Sequence, residues 1–414
     1  MTQPTPAPSG AEGTDGSGTG GPGVVTRSTI LGAIFLMATS AVGPGFLTQT
    51  AEYTAQLGAA FAFAILVSVL VDIAVQMNVW RVIGVSGMRA QELGNKVLPG
   101  AGWALAGLVV IGGLVFNIGN VAGSGLGTQA LLEIDPRVGG AVSAAIAIAI
   151  FLSKRAGAAL DRIVVVLGVV MLVAALVMTF TSDPPYAQAL RESVAPSTVD
   201  AVAIVTIIGG TVGGYITYAG AHRLVDSGAT GMENVGAITR SSVISIVTTG
   251  VMRTILFLAI LGVVAAGAEL SESDPMGSAF QAAAGEFGLR MYGLILWAAA
   301  LTSVIGAAYT SVSFLTTKNT PRRVVTALTC GFIVLTAGIF VAVEQTPTTL
   351  LIFAGTFNGL ILPLGLTLLL WVAWRRRDLM GGYAYPRWLA SVGLVGWGIS
   401  LWIAVLAASE LGKL

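Results

Sequence analysis

Charge is what this sequence has least of: Asp, Glu, Lys and Arg together make up 10% of its 414 residues. Soluble domains carry about 25%, so a surface facing water on all sides cannot be built from this chain. One cysteine, Cys330 within an apolar run, excludes an intrachain disulfide. A single cysteine and a single histidine, His222, leave no Cys/His cluster for a metal. The net charge of +1, with no basic stripe, gives no nucleic-acid footprint. No Ser-His-Asp arrangement, HExxH pair or Walker loop points to an enzyme, and we expect none. What is abundant is apolar: hydrophobic residues make up 55% and the mean hydropathy is +0.86. The chain must face lipid.

Residues 1–26 are rich in Gly, Pro, Ser and Thr and have no apolar period, so a disordered tail is expected over 1–27, ending at Arg27. A cleaved signal peptide is not expected, because the first basic residue comes directly before a full-length apolar run. The remainder, 28–414, reads as one transmembrane domain. Apolar segments near the roughly 20 residues that cross a bilayer fall at 28–54, 57–80, 102–131, 137–153, 162–181, 199–226, 240–267, 289–316, 324–344, 348–373 and 388–409, which makes eleven spans. With the N-terminus in the cytoplasm, sixteen of the 21 Lys and Arg fall in inner segments and four (Arg137, Arg191, Arg290, Lys413) in outer ones. That asymmetry is the positive-inside pattern. It predicts a multi-pass protein of the cell membrane with the N-terminus cytoplasmic and the C-terminus outside.

Two spans should not be continuous helices. The first contains Gly43-Pro44-Gly45-Phe46, where proline removes a backbone donor and glycine eases unwinding. The sixth contains Gly209-Gly210-Thr211-Val212-Gly213-Gly214-Tyr215, with four glycines in six residues. In hydrocarbon, freed backbone groups are tolerated only inside protein or along a cavity. Glycines also let helices pack closely. Breaks five spans apart, however, are the mark of two five-helix repeats, here about 28–181 and 199–373 with an extra helix at about 388–409. A binding site is expected at the midplane between them.

These residues resemble the NRAMP family of proton-coupled divalent-metal transporters, which have a LeuT-type fold. The first helix matches through Leu31-Gly32, Phe35-Leu36, Gly43-Pro44-Gly45 and Ala55-Gln56-Leu57-Gly58. Span 6 is similar through Gly209-Gly210-Thr211-Val212, span 8 through Leu294-Ile295-Leu296-Trp297-Ala298-Ala299, and span 10 through Leu350-Leu351 and Leu362-Pro363. The resemblance implies an all-α LeuT-type 5+5 inverted repeat with 11 transmembrane helices, helices 1 and 6 broken at the midplane, and a monomer. The family's Asp-Pro-Gly-Asn falls on Gly43-Pro44-Gly45-Phe46, so its acidic ligand is Gly43 here and its amide ligand Phe46. The family's Met-Pro-His falls on Gly213-Gly214-Tyr215, and the span 10 glutamine on Gly355. The acidic pair of span 3 is missing from Phe116-Asn117-Ile118-Gly119-Asn120. The scaffold is kept and its metal site removed. A dication with no carboxylate at that depth would be uncompensated, and three replacements by glycine should enlarge the centre.

The remaining inventory favours a small organic solute, carboxylate-bearing or amino-acid-like, carried by alternating access. Free N–H groups of the half-helices at Gly43, Gly45, Gly213 and Gly214 suit an anion. Thr211, Tyr215, Gln49, Asn117, Asn120, Thr356 and Asn358 offer neutral hydrogen bonds, and Phe46 an apolar wall; the asparagines would equally serve interhelical bonding. No resident cofactor or metal is expected. For a coupling ion, sodium at Thr302-Ser303 or a proton at Glu52 or His222 are candidates, against plain readings as helix-end or interfacial residues. Asp72 and Arg253, also within spans, read as charges that pair inside the bundle. The alternative substrate is Mn2+ or Mg2+, with Glu52 standing in for the lost aspartate. A sensor or membrane enzyme is the third reading, and no output domain supports it.

Overall fold

The computed structural model describes residues 43–317 and 319–411. The expected tail, the start of the first span with Leu31-Gly32 and Phe35-Leu36, Lys318 and Lys413 lie outside the described residues. Helices make up nearly all of the rest, and no strand occurs among the described residues. Helix α1 (Pro44–Leu57) leads through a 3-10 turn (Gly58–Ala60) into α2 (Phe61–Ser86), and the short α3 (Ala90–Val97) turns the chain into α4 (Ala101–Leu132). Helices α5 (Pro136–Leu152) and α6 (Lys154–Thr181) follow, then α7 (Tyr186–Val194), α8 (Ala201–Gly209) and α9 (Ile216–Asp226). The second half continues through α10 (Val235–Ala265), α11 (Pro275–Leu315), α12 (Arg322–Ala342), α13 (Pro347–Arg375) and α14 (Arg387–Leu411).

Local chemistry sets the ends of these helices. Asp135 accepts from the Arg137 N–H at 2.9 Å ahead of Pro136 at the first position of α5. Asp200 caps α8 through the Ala203 N–H at 2.8 Å, and Asp274 caps α11 through the Gly277 N–H at 2.9 Å. Each satisfies an N-terminal amide that the helix itself cannot. Helix α11 is interrupted at Ala284 and Gly285, the latter with φ +61. The apolar period therefore begins only near 289, although the helix starts at Pro275.

Eight described stretches are long and apolar enough to cross a membrane by length and composition, with α1 and α2 counted as one run. Pro136–Leu152 is apolar but shorter, and span 6 is divided between α8 and α9. The expectation of eleven spans therefore includes segments that do not meet that length individually. Two amphipathic helices, α3 and α7, were not anticipated. Being short and polar on one face, they give no full-length apolar run to find.

Helices α4, α11 and α13, with α1 and the α8–α9 pair, enclose the centre, while α2 and α10 flank it. Close approach depends on small residues. A Cβ added at Gly209 would lie 1.9 Å from the Gly355 carbonyl oxygen, so α8 and α13 cross almost backbone to backbone. Fully buried Trp80 of α2 donates to the Thr217 carbonyl at 2.9 Å and anchors the start of α9.

Candidate functional site

The break expected in the sixth span lies within the described residues, while of the first span only the part from Gly43 onward does. Helix α1 begins at Pro44 with Gly43 as an extended N-cap residue that offers no side-chain cap. The Phe46 N–H turns back to the Gly43 carbonyl at 3.1 Å. In the sixth span the chain leaves the helix from Gly210 to Tyr215. Gly210, Thr211, Val212 and Gly213 still donate to carbonyls of α8, but the Gly214 and Tyr215 amides donate to no backbone carbonyl among the described residues. Gly214 has φ +53, a left-handed conformation open to glycine at little cost. Two uncapped helix starts, at Pro44 and Ile216, thus flank the same centre.

Side chains from three helices and from the break itself converge there. Gln49, fully buried, donates from Nε2 to the Leu351 carbonyl at 3.2 Å and leaves Oε1 unpaired beside Gly210. Asn358 donates from Nδ2 to the carbonyls of Gly112 (3.1 Å) and Ala354 (2.8 Å), and its unpaired Oδ1 lies against Gly214. The Tyr215 hydroxyl and Asn120 Oδ1 are also buried, with the Asn120 side chain adjoining the hydroxyl and neither atom in a bond of good geometry, and Tyr215 packs edge-on to Phe116 at 5.3 Å between centroids. Buried polar atoms are normally satisfied. Four such atoms gather around one break, three amide oxygens that accept and a phenol that can donate.

Other expected residues are occupied elsewhere. Thr211 donates to the Ile207 carbonyl at 2.7 Å within its own turn. Thr356 pairs with Thr206 at 2.6 Å, and Thr206 also accepts from Tyr53 at 3.1 Å. Asn117 donates to Thr336 of α12 at 3.2 Å. The expectation of an enlarged centre needs correcting at two of its three glycines. A Cβ at Gly355 would meet Gln49 Nε2 at 2.3 Å, and one at Gly213 would meet the Gly209 Cα at 2.5 Å. Closer backbones and the Gln49 side chain take up the space that larger ligating side chains would fill.

The coupling candidates do not gather at the break. Glu52 is half-buried and accepts from Gln56 at 2.6 Å one turn on, away from the centre. His222 is buried, not interfacial: its Nε2 accepts from the Ala90 N–H at 3.3 Å, Nδ1 faces Ser313 Oγ at 3.3 Å, and the ring stacks on Phe314 at 4.6 Å. Thr302 donates to the Ala299 carbonyl at 2.8 Å, while Ser303 Oγ is buried and unpaired. Thr302, Ser303 and His222 instead line a cavity of about 370 Å3 between α5, α9 and α11. Beside it Arg89, the N-cap residue of α3, pairs with Asp226 at 2.9 Å and donates to the Ser313 carbonyl at 3.0 Å, fastening α3, α9 and α11 together.

No group of three or more His, Cys, Asp or Glu positioned for a metal occurs among the described residues. Oxygens of neutral amides alone are a poor donor set for a bare dication in an apolar bundle. Sequence reasoning left Arg253 out of the site. Its guanidinium lies 4.4 Å over the Phe46 ring and donates to the Ile207 carbonyl of α8 at 3.4 Å, so it bridges the start of α1 and the last turn of α8 ahead of the break. The available signal was its place near the middle of the 240–267 span, far from either end.

Residues 34–410 match the family described as natural resistance-associated macrophage protein-like (Nramp). The uncharacterized membrane protein YcsG of Bacillus subtilis is 51% identical over 372 residues, 88% of this chain and 90% of that protein. Among solved structures, a manganese transporter of Eremococcus coleocola superimposes with a TM-score of 0.72 at 17% identity, covering 93% of this chain and 87% of that one. MhsT in complex with L-phenylalanine superimposes with a TM-score of 0.64 at 17% identity, covering 92% and 98%. At such identities the likeness shows the fold, which is of the LeuT type.

Proposed function

This chain belongs to the Nramp family and is a membrane transporter, and from that premise we propose that it carries a small organic solute with a carboxylate and an N–H group, amino-acid-like or cyclic, by alternating access. The observation that carries this reading is the set of unpaired groups at the break. Gln49 Oε1, Asn120 Oδ1 and Asn358 Oδ1 accept, which suits the N–H of a solute. The free Gly214 and Tyr215 amides and the Tyr215 hydroxyl donate, which suits a carboxylate at a helix start. Gly43, Phe46, Gly213 and Gly355 supply no anionic or thioether ligand for a metal. Glu52, which a metal substrate would need, is turned toward Gln56. The cavity of about 370 Å3 that reaches Ser303 is separate from these groups, none of which lines it.

In this reading the protein works as a monomer in the cell membrane, with its N-terminus cytoplasmic and its C-terminus outside, and residues 28–181 and 199–373 are the two repeats. Thermal unfolding of the detergent-solubilised protein tests the substrate class. A ligand that binds only the folded state stabilises by about 2.7 kcal/mol at a hundred times its dissociation constant. Small carboxylates and amino acids, with and without sodium, should raise the midpoint, and Mn2+ and Mg2+ should not. A shift by Mn2+ or Mg2+ with none by organic acids would establish the metal as cargo and refute the organic solute.

A further inference from the structure

A second polar feature runs beside the site. Ser68, Asp72 and Gln76 lie four residues apart on α2 and so share one face. Opposite them on α10 are Ser242, Ser245, Thr249 and Arg253, and all seven are buried. Gln76 ties the helices together, donating to the Ser242 carbonyl at 3.0 Å and to Ser245 Oγ at 2.6 Å. At one end Arg81 donates to Thr239 and to the Tyr383 hydroxyl. At the other end Arg253 reaches Phe46 near the start of α1 and the Ile207 carbonyl in the last turn of α8. From Thr239 to Arg253 the seam is about 21 Å long at 1.5 Å per residue, a large part of the roughly 30 Å hydrocarbon core.

Within this seam two ionisable side chains are incompletely paired. Asp72 is 1% exposed and its Oδ1 has no partner; Arg253 is 2% exposed and its Nε and Nη2 have none. They form no ion pair within 4.0 Å. Nε and Nη2 make up one edge of the guanidinium, the edge that binds a carboxylate side-on through two parallel bonds. Nη1, on the other side, is already committed to Ile207. Leaving such an edge dry in an apolar bundle is costly, and the edge stands next to Phe46 at the substrate break.

We propose that Arg253 binds the carboxylate of the solute through its Nε–Nη2 edge, and that Asp72 carries the coupling proton. With Asp72 ionised, Arg253 serves as its counter-charge. With Asp72 protonated from the seam, the guanidinium's positive charge is balanced by the solute carboxylate instead, so one proton and one carboxylate enter together and the net charge of the loaded centre is unchanged. The inference rests on the organic-solute reading above and adds the group that recognises the anion.

Arg253 is the charged group that acts on Asp72 among the described residues. Groups on the neighbouring helices are engaged elsewhere: Glu52 with Gln56, Tyr53 with Thr206, and His222 with Ala90 and Ser313. Tyr218 packs on Phe314, Asp226 pairs with Arg89, and Tyr385 donates to Asn78. Helix α8 carries no titratable side chain.

The test has two readouts on the purified full chain. Infrared titration should show a buried protonated carboxyl band that disappears in Asp72→Asn; its absence from the wild type at every pH would overturn the proton site. Thermal shift is then measured with L-proline against L-prolinamide and L-lactate against L-lactamide. The carboxylates should stabilise the wild type and their amides should not, with apparent affinity falling about tenfold per pH unit once Asp72 ionises. Arg253→Gln should weaken carboxylate binding by about a hundredfold, Arg253→Lys should restore part of it, and Asp72→Asn should bind without pH dependence. Should Arg253→Gln not fold, Arg253→Lys and Asp72→Asn still decide. Carboxylate binding that is unchanged in the Arg253 variants, or a pH dependence that survives in Asp72→Asn, would overturn this inference alone. A response to Mn2+ with none to the carboxylates, or no response to either carboxylate, would overturn the anion site together with the reading it rests on.

Discussion

Replacing Gly214 with alanine should disable the break at one atom. Its φ of +53 puts a non-glycine residue into the left-handed region, at a cost of about 1–2 kcal/mol. The new Cβ would stand 1.5 Å from Asn358 Oδ1, so the Asn358 side chain must leave. Leaving breaks its bonds to the Gly112 and Ala354 carbonyls, each worth about 1 kcal/mol. Together these put the destabilisation of Gly214→Ala at about 3–4 kcal/mol. Gly338→Ala is the control. Gly338 lies inside α12 with nothing within 4 Å of the added carbon, and removing a helix-interior glycine should stabilise by about 0.5–1 kcal/mol. Tryptophan fluorescence during thermal unfolding in detergent would read both, and the two midpoints should move in opposite directions. A Gly214→Ala midpoint equal to wild type would refute the left-handed, Asn358-packed geometry of the break.

Two further outcomes are expected. Asp274, half-buried at the N-cap of α11, has its carboxyl pushed up to about 6 by burial, against which the Gly277 N–H and Tyr292 hydroxyl act. A raised carboxyl binds its proton more tightly in the folded state, so the stability it contributes is present below about pH 4 and lost as pH rises through about 6. Asp274→Asn keeps a capping oxygen and should gain on wild type over that window, levelling off above about pH 7 at no more than about 3 kcal/mol; a gain independent of pH in unfolding midpoints would contradict this. Arg89→Ala should release α3 from α9 and α11 by removing the Asp226 pair and the bond to the Ser313 carbonyl. In a Cys330→Ser background, a Ser313→Cys reporter beside the cavity should then react faster with a maleimide than it does with Arg89 present, and equal rates would exclude the fastening role.

Much of the architecture was legible because it is local. Expected spans at 102–131, 348–373 and 388–409 lie within a residue or two of α4, α13 and α14, since an apolar run of that length has one solution in a bilayer. The sixth-span break was legible for the same reason: the glycine run alters the backbone where it stands, as Gly43-Pro44 marks the start of α1. Helix α6 begins eight residues before its expected start, and α11 begins fourteen before. Short helical stretches of mixed composition such as 275–283, set off from the long apolar run by the interruption at Ala284 and Gly285, lie outside the hydrophobic pattern that hydropathy registers.

The site itself was legible only in part. That Gln49, Asn120, Tyr215 and Asn358 would meet followed from their being polar near breaks, yet which of their atoms stay free depends on partners far away in sequence. Gln49 bonds a carbonyl 302 residues on, and Asn358 one 246 residues back. Glycines at 213 and 355 read as vacated space, whereas α8, α13 and the Gln49 side chain close in on them.

Composition and order along the chain determined that this protein lies in a membrane, breaks its first and sixth spans, and holds no carboxylate at those breaks. All three follow from transfer energies and backbone sterics that act over a few residues. Only the tertiary structure decided that Arg253 stacks on Phe46, that its carboxylate-binding edge is free, and that Asp72 stands nearby without pairing. Those facts depend on how α1, α2, α8 and α10 pack, and packing is settled by the whole bundle at once.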